Sequence, residues 1–237
     1  MEYMLFVLDL IGTAAFALSG AMTAVRRQMD LLGVMILGMV TAVGGGMIRD
    51  LILGITPPQA FREPVFALVS LVISALIFAV LFFHVVRKYR DGRGSERLVA
   101  GPSFWEQEIS GERFQQILMA ADTLGLAVFT VAGVRAAYDS QMEFGYFLPV
   151  FLGTITGVGG GLLRDMMAGD RPYIFVKHVY ASASIAGAVL CCLMWESAGE
   201  QWAMLTGALA VIAMRFLAIH FKWNLPRIKG GGGFGEL

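Results

Sequence analysis

One phrase occurs twice inside apolar stretches: Gly44-Gly45-Gly46-Met47-Ile48-Arg49-Asp50 and Gly159-Gly160-Gly161-Leu162-Leu163-Arg164-Asp165. Three consecutive glycines followed by adjacent opposite charges is a poor recipe for a continuous buried helix. Each glycine in a helix interior costs about 1 kcal/mol relative to alanine. A charge deep in hydrocarbon costs at least ~2.5 kcal/mol. Repeated at matching places, the phrase points to a membrane protein built around paired broken helices.

The distribution of charge supports a membrane protein. The chain is 57% hydrophobic and 15% charged, against roughly 25% charged in soluble domains. Windows 3–25, 64–86 and 202–219 carry one charge or none through most of their length, and each is long enough to cross ~30 Å of hydrocarbon. The wet stretch is Arg87 to Arg113. A net charge of zero gives no electrostatic case for binding nucleic acid. Cys191 and Cys192 are neighbours in an apolar run and read as buried packing residues. No cysteine or histidine spacing suits a metal. Glu2 and Asp9 are the only charges before Arg26, so the first apolar segment lacks the basic start of a signal peptide and reads as a retained span.

Seven apolar segments follow, near 3–25, 31–54, 64–86, 114–137, 146–169, 174–194 and 202–221. The chain is duplicated. Asp9, Gly12, Phe16 and Gly20 align with Asp122, Gly125, Phe129 and Gly133; Gly38, Gly44, Arg49, Asp50, Gly54 and Pro57 align with Gly153, Gly159, Arg164, Asp165, Gly169 and Pro172. The expected organisation is a three-helix unit over 3–86, a charged linker over 87–113, a second unit over 114–194, a seventh helix over 202–221 and a tail over 222–237. Three spans per unit is odd, so the second copy enters the membrane from the opposite side, an inverted repeat of the kind found in transporters. Of the 18 lysines and arginines, alternating spans put 13 on one side; only Arg62 and Arg135 fall on the other, with Arg49, Arg164 and Arg215 inside the membrane. This places the N terminus outside and the C terminus in the cytoplasm.

Gly38, Ala42 and Gly46, like Gly153, Gly157 and Gly161, recur every four residues and also fit a stripe for close helix packing. The favoured reading is a bend at each triplet that leaves half-helices over Met47–Gly54 and Leu162–Gly169, with backbone groups freed beside a wet cavity. Arg49 and Asp50 point about 100° apart on a helix, as do Arg164 and Asp165, so each charge is expected to seek a partner elsewhere, Asp9 and Asp122 among them. Such a network either fastens the repeats together or walls a hydrated path. Ser19, Thr41 and Thr156 are candidate polar lining, although such hydroxyls also bond carbonyls of their own span. No nucleophile sits beside a base, and neither G-x-G-x-x-G nor a phosphate loop is present, so an enzyme and a resident cofactor are not expected.

Seven spans, inverted three-span repeats and the doubled GGGxxRD phrase resemble the prokaryotic trimeric intracellular cation (TRIC) channels over about residues 3–221. The resemblance implies a homotrimer in lipid, each protomer carrying its own pore for monovalent cations, chiefly potassium. It places the pore at the segments around Gly44, Gly45 and Gly46 and around Gly159, Gly160 and Gly161. Arg49 and Arg164 would repel cations if left bare, so both are expected to be engaged by carboxylates or carbonyls. Freed triplet carbonyls and Asp, Ser or Thr oxygens would then meet the ion. Bacterial relatives have also carried a glycine-transporter label, and a carrier for a small zwitterion, holding its carboxylate at the half-helix N termini, is the alternative. A membrane scaffold that transports nothing remains a third.

Overall fold

A computed structural model describes residues 2–90, 111–140, 145–176, 179–221 and 223. Nine helices form among these residues: α1 (Glu2–Arg26), α2 (Leu31–Ile52), α3 (Gln59–Arg62), α4 (Val65–Arg90), α5 (Glu112–Asp139), α6 (Phe147–Met167), α7 (Tyr173–Val176), α8 (Ala181–Ala198) and α9 (Glu200–His220). Seven of them are long and apolar enough to cross a membrane, so the chain is an all-α integral membrane protein with seven spans. The charged linker and the tail fall largely outside the described residues. The sixth span starts at Ala181 rather than near 174, because Pro172 precedes a separate single turn, α7.

The ends of α2 and α6 repeat one another. Gly54 and Gly169 both take φ +69°, a left-handed turn that glycine adopts without strain. The next amides, Ile55 N and Asp170 N, donate back to the carbonyls of Asp50 and Asp165 at 2.8 and 2.9 Å. At the start of α2, Asp30 Oδ1 accepts from Gly33 N at 2.7 Å, capping the helix.

At the triplets the structure corrects the sequence reading. Helices two and five (α2 and α6) are not broken there: α-helix runs without interruption from Leu31 to Ile52 and from Phe147 to Met167. The half-helices over Met47–Gly54 and Leu162–Gly169 therefore do not exist as separate elements. The glycines serve the helix crossing instead. A Cβ on Gly45 would collide with the carbonyl of Thr156, and one on Gly160 with the carbonyl of Thr41. A Cβ on Gly159 would lie 3.2 Å from Gly45 Cα. Backbone meets backbone where α2 crosses α6, an approach that only small residues permit.

The same logic binds the first and fourth spans, α1 and α5. Phe16 of α1 packs where Gly125 of α5 leaves room, and Phe129 of α5 comes against Gly12 of α1. The two rings, equivalent in the duplication, meet at 5.3 Å between centroids. Gly20 lies on Gly38, and Gly133 on Gly153, closing α1 onto α2 and α5 onto α6. Cys191 and Cys192 are buried free thiols in a cluster with Val131, Val134, Ala203 and Met204 that seats α8 and α9 against α5.

Candidate functional site

With the start of α1 taken as the top, each copy places one Arg–Asp pair, Arg49–Asp50 in the upper half and Arg164–Asp165 in the lower. Contrary to the expectation from helix geometry, each arginine bonds its own neighbour. Arg49 Nε and Nη2 donate to Asp50 Oδ1 at 2.9 and 2.7 Å; Arg164 Nε donates to Asp165 Oδ1 at 2.8 Å. The 100° between Cα–Cβ directions is overcome because the arginine side chain is long enough to fold back along the helix. The other aspartate oxygen serves the loop beyond. Asp50 Oδ2 accepts from Gln59 N at 2.7 Å and Asp165 Oδ2 from Tyr173 N at 2.8 Å. These are the first residues of α3 and α7, so each carboxylate ties a short helix to the end of its span.

Beyond this shared frame the halves differ. In the upper half, Arg49 also reaches Gln59 Oε1 at 3.3 Å and borders a cavity of about 460 Å³. Its lining carries the carboxylates of Asp9, Asp50, Glu63 and Asp139 against the guanidinium groups of Arg49, Arg62 and Arg135, four acids to three bases. Arg135 is held 2.8 Å from Glu200 and 3.5 Å from Asp139. A smaller recess of about 60 Å³ shares Asp9, Arg49, Asp50 and Gln59 and reaches Thr13, Gly46 and Phe129. Asp9 borders both spaces, and no ion pair or hydrogen bond ties its carboxylate among the described residues.

The lower half is closed around its arginine. Arg164 Nη1 donates to Asp122 Oδ1 and to Ser19 Oγ, both at 2.5 Å, and Ser19 Oγ donates on to Asp122 Oδ1 at 3.4 Å. Arg164 Nη2 lies 2.8 Å from Asp165 Oδ1, paired by charge but off the line of a hydrogen bond. The Arg164 side chain is 1% exposed, against 12% for Arg49. Its Cζ lies 5.1 Å from the Tyr173 ring centroid. Arg215 of the seventh span is buried as well, its Cζ 4.9 Å from the centroid of Tyr180. Burial pushes the Tyr180 hydroxyl well above the usual tyrosine pKa, and the Asp122 charge acts in the same direction, so it remains a neutral phenol.

Among the residues expected at the site, Ser19, Asp122, Arg164 and Asp165 gather below, and Asp9, Arg49 and Asp50 above. Both arginines are engaged by carboxylates. Thr41 and Thr156 are fully buried and donate to the carbonyls of Leu37 and Leu152 at 2.6 Å each. Because α2 and α6 stay helical through Gly44, Gly45, Gly46, Gly159, Gly160 and Gly161, the triplets free no set of carbonyls for an ion. Sequence reasoning placed Arg135 on the outer side and Arg215 inside the membrane without giving either a role, and it passed over Gln59, Glu63 and Glu200 above and Tyr173 and Tyr180 below. Phe16 and Phe129 were aligned in the repeat but given no role; their matching positions were the available signal.

Comparison with known proteins decides the family. A solved TRIC cation channel is 31% identical, with a TM-score of 0.75 over 96% of this chain and 98% of the other. The chain belongs to the prokaryotic TRIC channel family. The orthologue from Rhodobacter sphaeroides, named as a trimeric intracellular cation channel, gives 28% identity and a TM-score of 0.75 over 93% of this TRIC family member and 99% of the orthologue. A family model described as glycine transporter matches twice, at residues 6–82 and 119–196, once on each copy of the three-span unit. The UPF0126 membrane protein of Deinococcus radiodurans is 36% identical over 92% of this chain and 89% of the relative. The UPF0126 inner membrane protein YadS of Escherichia coli is 34% identical over 94% and 95%. These are membrane and channel proteins, not enzymes.

Proposed function

We propose that this TRIC family member is a passive channel for monovalent cations, chiefly potassium, with a path through each protomer of a homotrimer. We place it in the cytoplasmic membrane with its N terminus outside, as the lysine and arginine asymmetry indicates. The observation that carries the reading is the upper cavity, where an unpaired carboxylate, Asp9, faces open space while Arg49 beside it is neutralised by Asp50. A cavity lining with more carboxylates than guanidinium groups favours cations over anions. Pairing Arg49 and Arg164 with acid removes the repulsion that a bare guanidinium would set across the path. The solved neighbours named as cation channels support the same assignment, and the trimeric name of the orthologue supports self-association.

The continuous helices alter how the ion is met. Carbonyls at the triplets stay within α-helix, so the coordinating oxygens in this reading come from side chains, Asp9 first. The same continuity weakens the alternative, a carrier for a small zwitterion such as glycine. Its carboxylate was to sit at half-helix N termini near Met47 and Leu162, and no helix starts there. Recording from purified protein in planar bilayers tests the proposal. Unitary currents whose reversal potential follows the potassium gradient are the expected result. Saturable glycine uptake into liposomes without such currents would replace the channel by the carrier.

A further inference from the structure

The seventh span lies outside the duplication, yet it reaches the upper cavity. Gly199, at φ +81°, is the single residue between α8 and α9, a left-handed turn that glycine takes without strain. The turn returns the chain beside α5, with Glu200 as the first residue of α9. Close packing then holds α9 in place: a Cβ on Gly207 would lie 2.9 Å from the Gly187 carbonyl of α8 and 3.1 Å from Val131 of α5. One turn beyond Glu200, Met204 lines the 460 Å³ cavity together with Arg135. Of the three guanidinium groups on that wall, Arg49 is paired with Asp50 and Arg62 donates to the Thr56 carbonyl. Arg135 takes its nearer carboxylate from the seventh span, Glu200 Oε1 at 2.8 Å, with Asp139 at 3.5 Å. The first copy holds no such cation, since the shift of 113 that lays Asp9 on Asp122 lays Met22 on Arg135.

We propose, building on the channel reading, that Glu200 of the seventh span is a positioning residue for selectivity: it holds the Arg135 guanidinium at the cavity wall and cancels its charge. Glu200 does not line the cavity and touches no ion; it acts through Arg135. The lining alone carries four carboxylates against three guanidinium groups, and Glu200 behind Arg135 adds a fifth negative charge. The seventh helix thereby helps to set how strongly the upper cavity prefers cations to anions. A unit charge about 10 Å from an ion in water-like surroundings changes its local concentration about twofold. That influence fades at high salt, where the screening length falls to about 3 Å at 1 M.

The test compares wild type with Glu200→Gln, Arg135→Gln and the double variant by single-channel recording across a potassium chloride gradient. Partly exposed ion pairs add little stability, so the variants should fold. Glu200→Gln leaves Arg135 poorly compensated and is expected to lower the potassium-over-chloride permeability ratio and the unitary conductance about twofold. Arg135→Gln leaves the carboxylates unopposed and is expected to raise both by a similar factor. The double variant removes one charge of each sign and is expected to return to the wild-type values. A purely structural contact would move both single variants the same way, because each breaks the same pair. The differences are expected to vanish in about 1 M potassium chloride. Wild-type permeability and conductance in both single variants, or shifts of the same sign, would overturn the proposal while leaving the channel reading in place. If one single variant fails to fold, the other decides by the sign of its shift and its loss at high salt. Absence of potassium current from wild type would remove the channel reading and this inference with it.

Discussion

The upper and lower halves of this molecule begin from the same sequence phrase and end in different states. Both fold an arginine back onto the next aspartate, and both use that aspartate to hold the first amide of a short helix. Above, the counterpart carboxylate Asp9 is left facing a cavity; below, Asp122 is consumed by Arg164 and Ser19. Duplication fixes the backbone frame, and side chains contributed by the other copy differ between the halves: Ser19 joins Arg164 below, while Arg135 and Asp139 border the cavity beside Arg49 above. A duplicated scaffold thus carries one half that borders a cavity and one that is closed around its arginine.

The largest expected effects come from what the halves share. Gly45→Leu and Gly160→Leu each drive a side chain into backbone of the partner helix, where nothing flexible can yield. Both should abolish monodisperse protein in size-exclusion chromatography, and to similar degrees. A large difference between them would break the equivalence of the two crossings.

Removing the arginines separates the halves. Arg164→Leu strands two buried carboxylates, Asp122 and Asp165, and orphaning a buried charge costs about 3–5 kcal/mol. Arg49→Leu leaves one carboxylate, Asp50, without its guanidinium, and Asp50 borders the cavity, so the loss should be smaller, about 1.5–3 kcal/mol, the value for a hydrogen bond to a charged group. Chemical unfolding in detergent measures both. Equal losses would show the upper cavity to be as dry as the lower network.

Smaller effects are expected at the rims. Arg26 and Arg27 both bond Asp170 below, and Arg135 pairs by charge with Glu200 above, off the line of a hydrogen bond, all with partly exposed side chains. Asp170→Asn and Glu200→Gln should each cost no more than about 1 kcal/mol in the same unfolding measurement. A loss as large as that of Arg164→Leu would move the decisive contacts from the core to the surface.

Much of this was legible in the chain itself. Long apolar windows give the seven spans, and paired positions such as Asp9 with Asp122 and Gly20 with Gly133 give the duplication. The triplets were misread because glycine that breaks a helix and glycine that lets two helices cross look alike along one strand of sequence. Only the carbonyls of Thr41 and Thr156 on the facing helices distinguish them. The Arg–Asp pairs were misread because directions at Cβ say little about where a long guanidinium ends. Contacts of Tyr180 with Arg215, and of Gln59 with Asp50, depend on how loops return to the bundle, and no spacing along the chain encodes that return.

The central claim is that cations enter through the upper cavity past the free carboxylate of Asp9. Reversal potentials across a potassium chloride gradient, compared between wild type and Asp9→Asn, test it most directly. The account predicts that Asp9→Asn shifts the reversal potential toward zero, with unitary potassium conductance reduced several-fold while the protein stays folded. An unchanged reversal potential and unchanged conductance in a folded Asp9→Asn protein would place the path elsewhere.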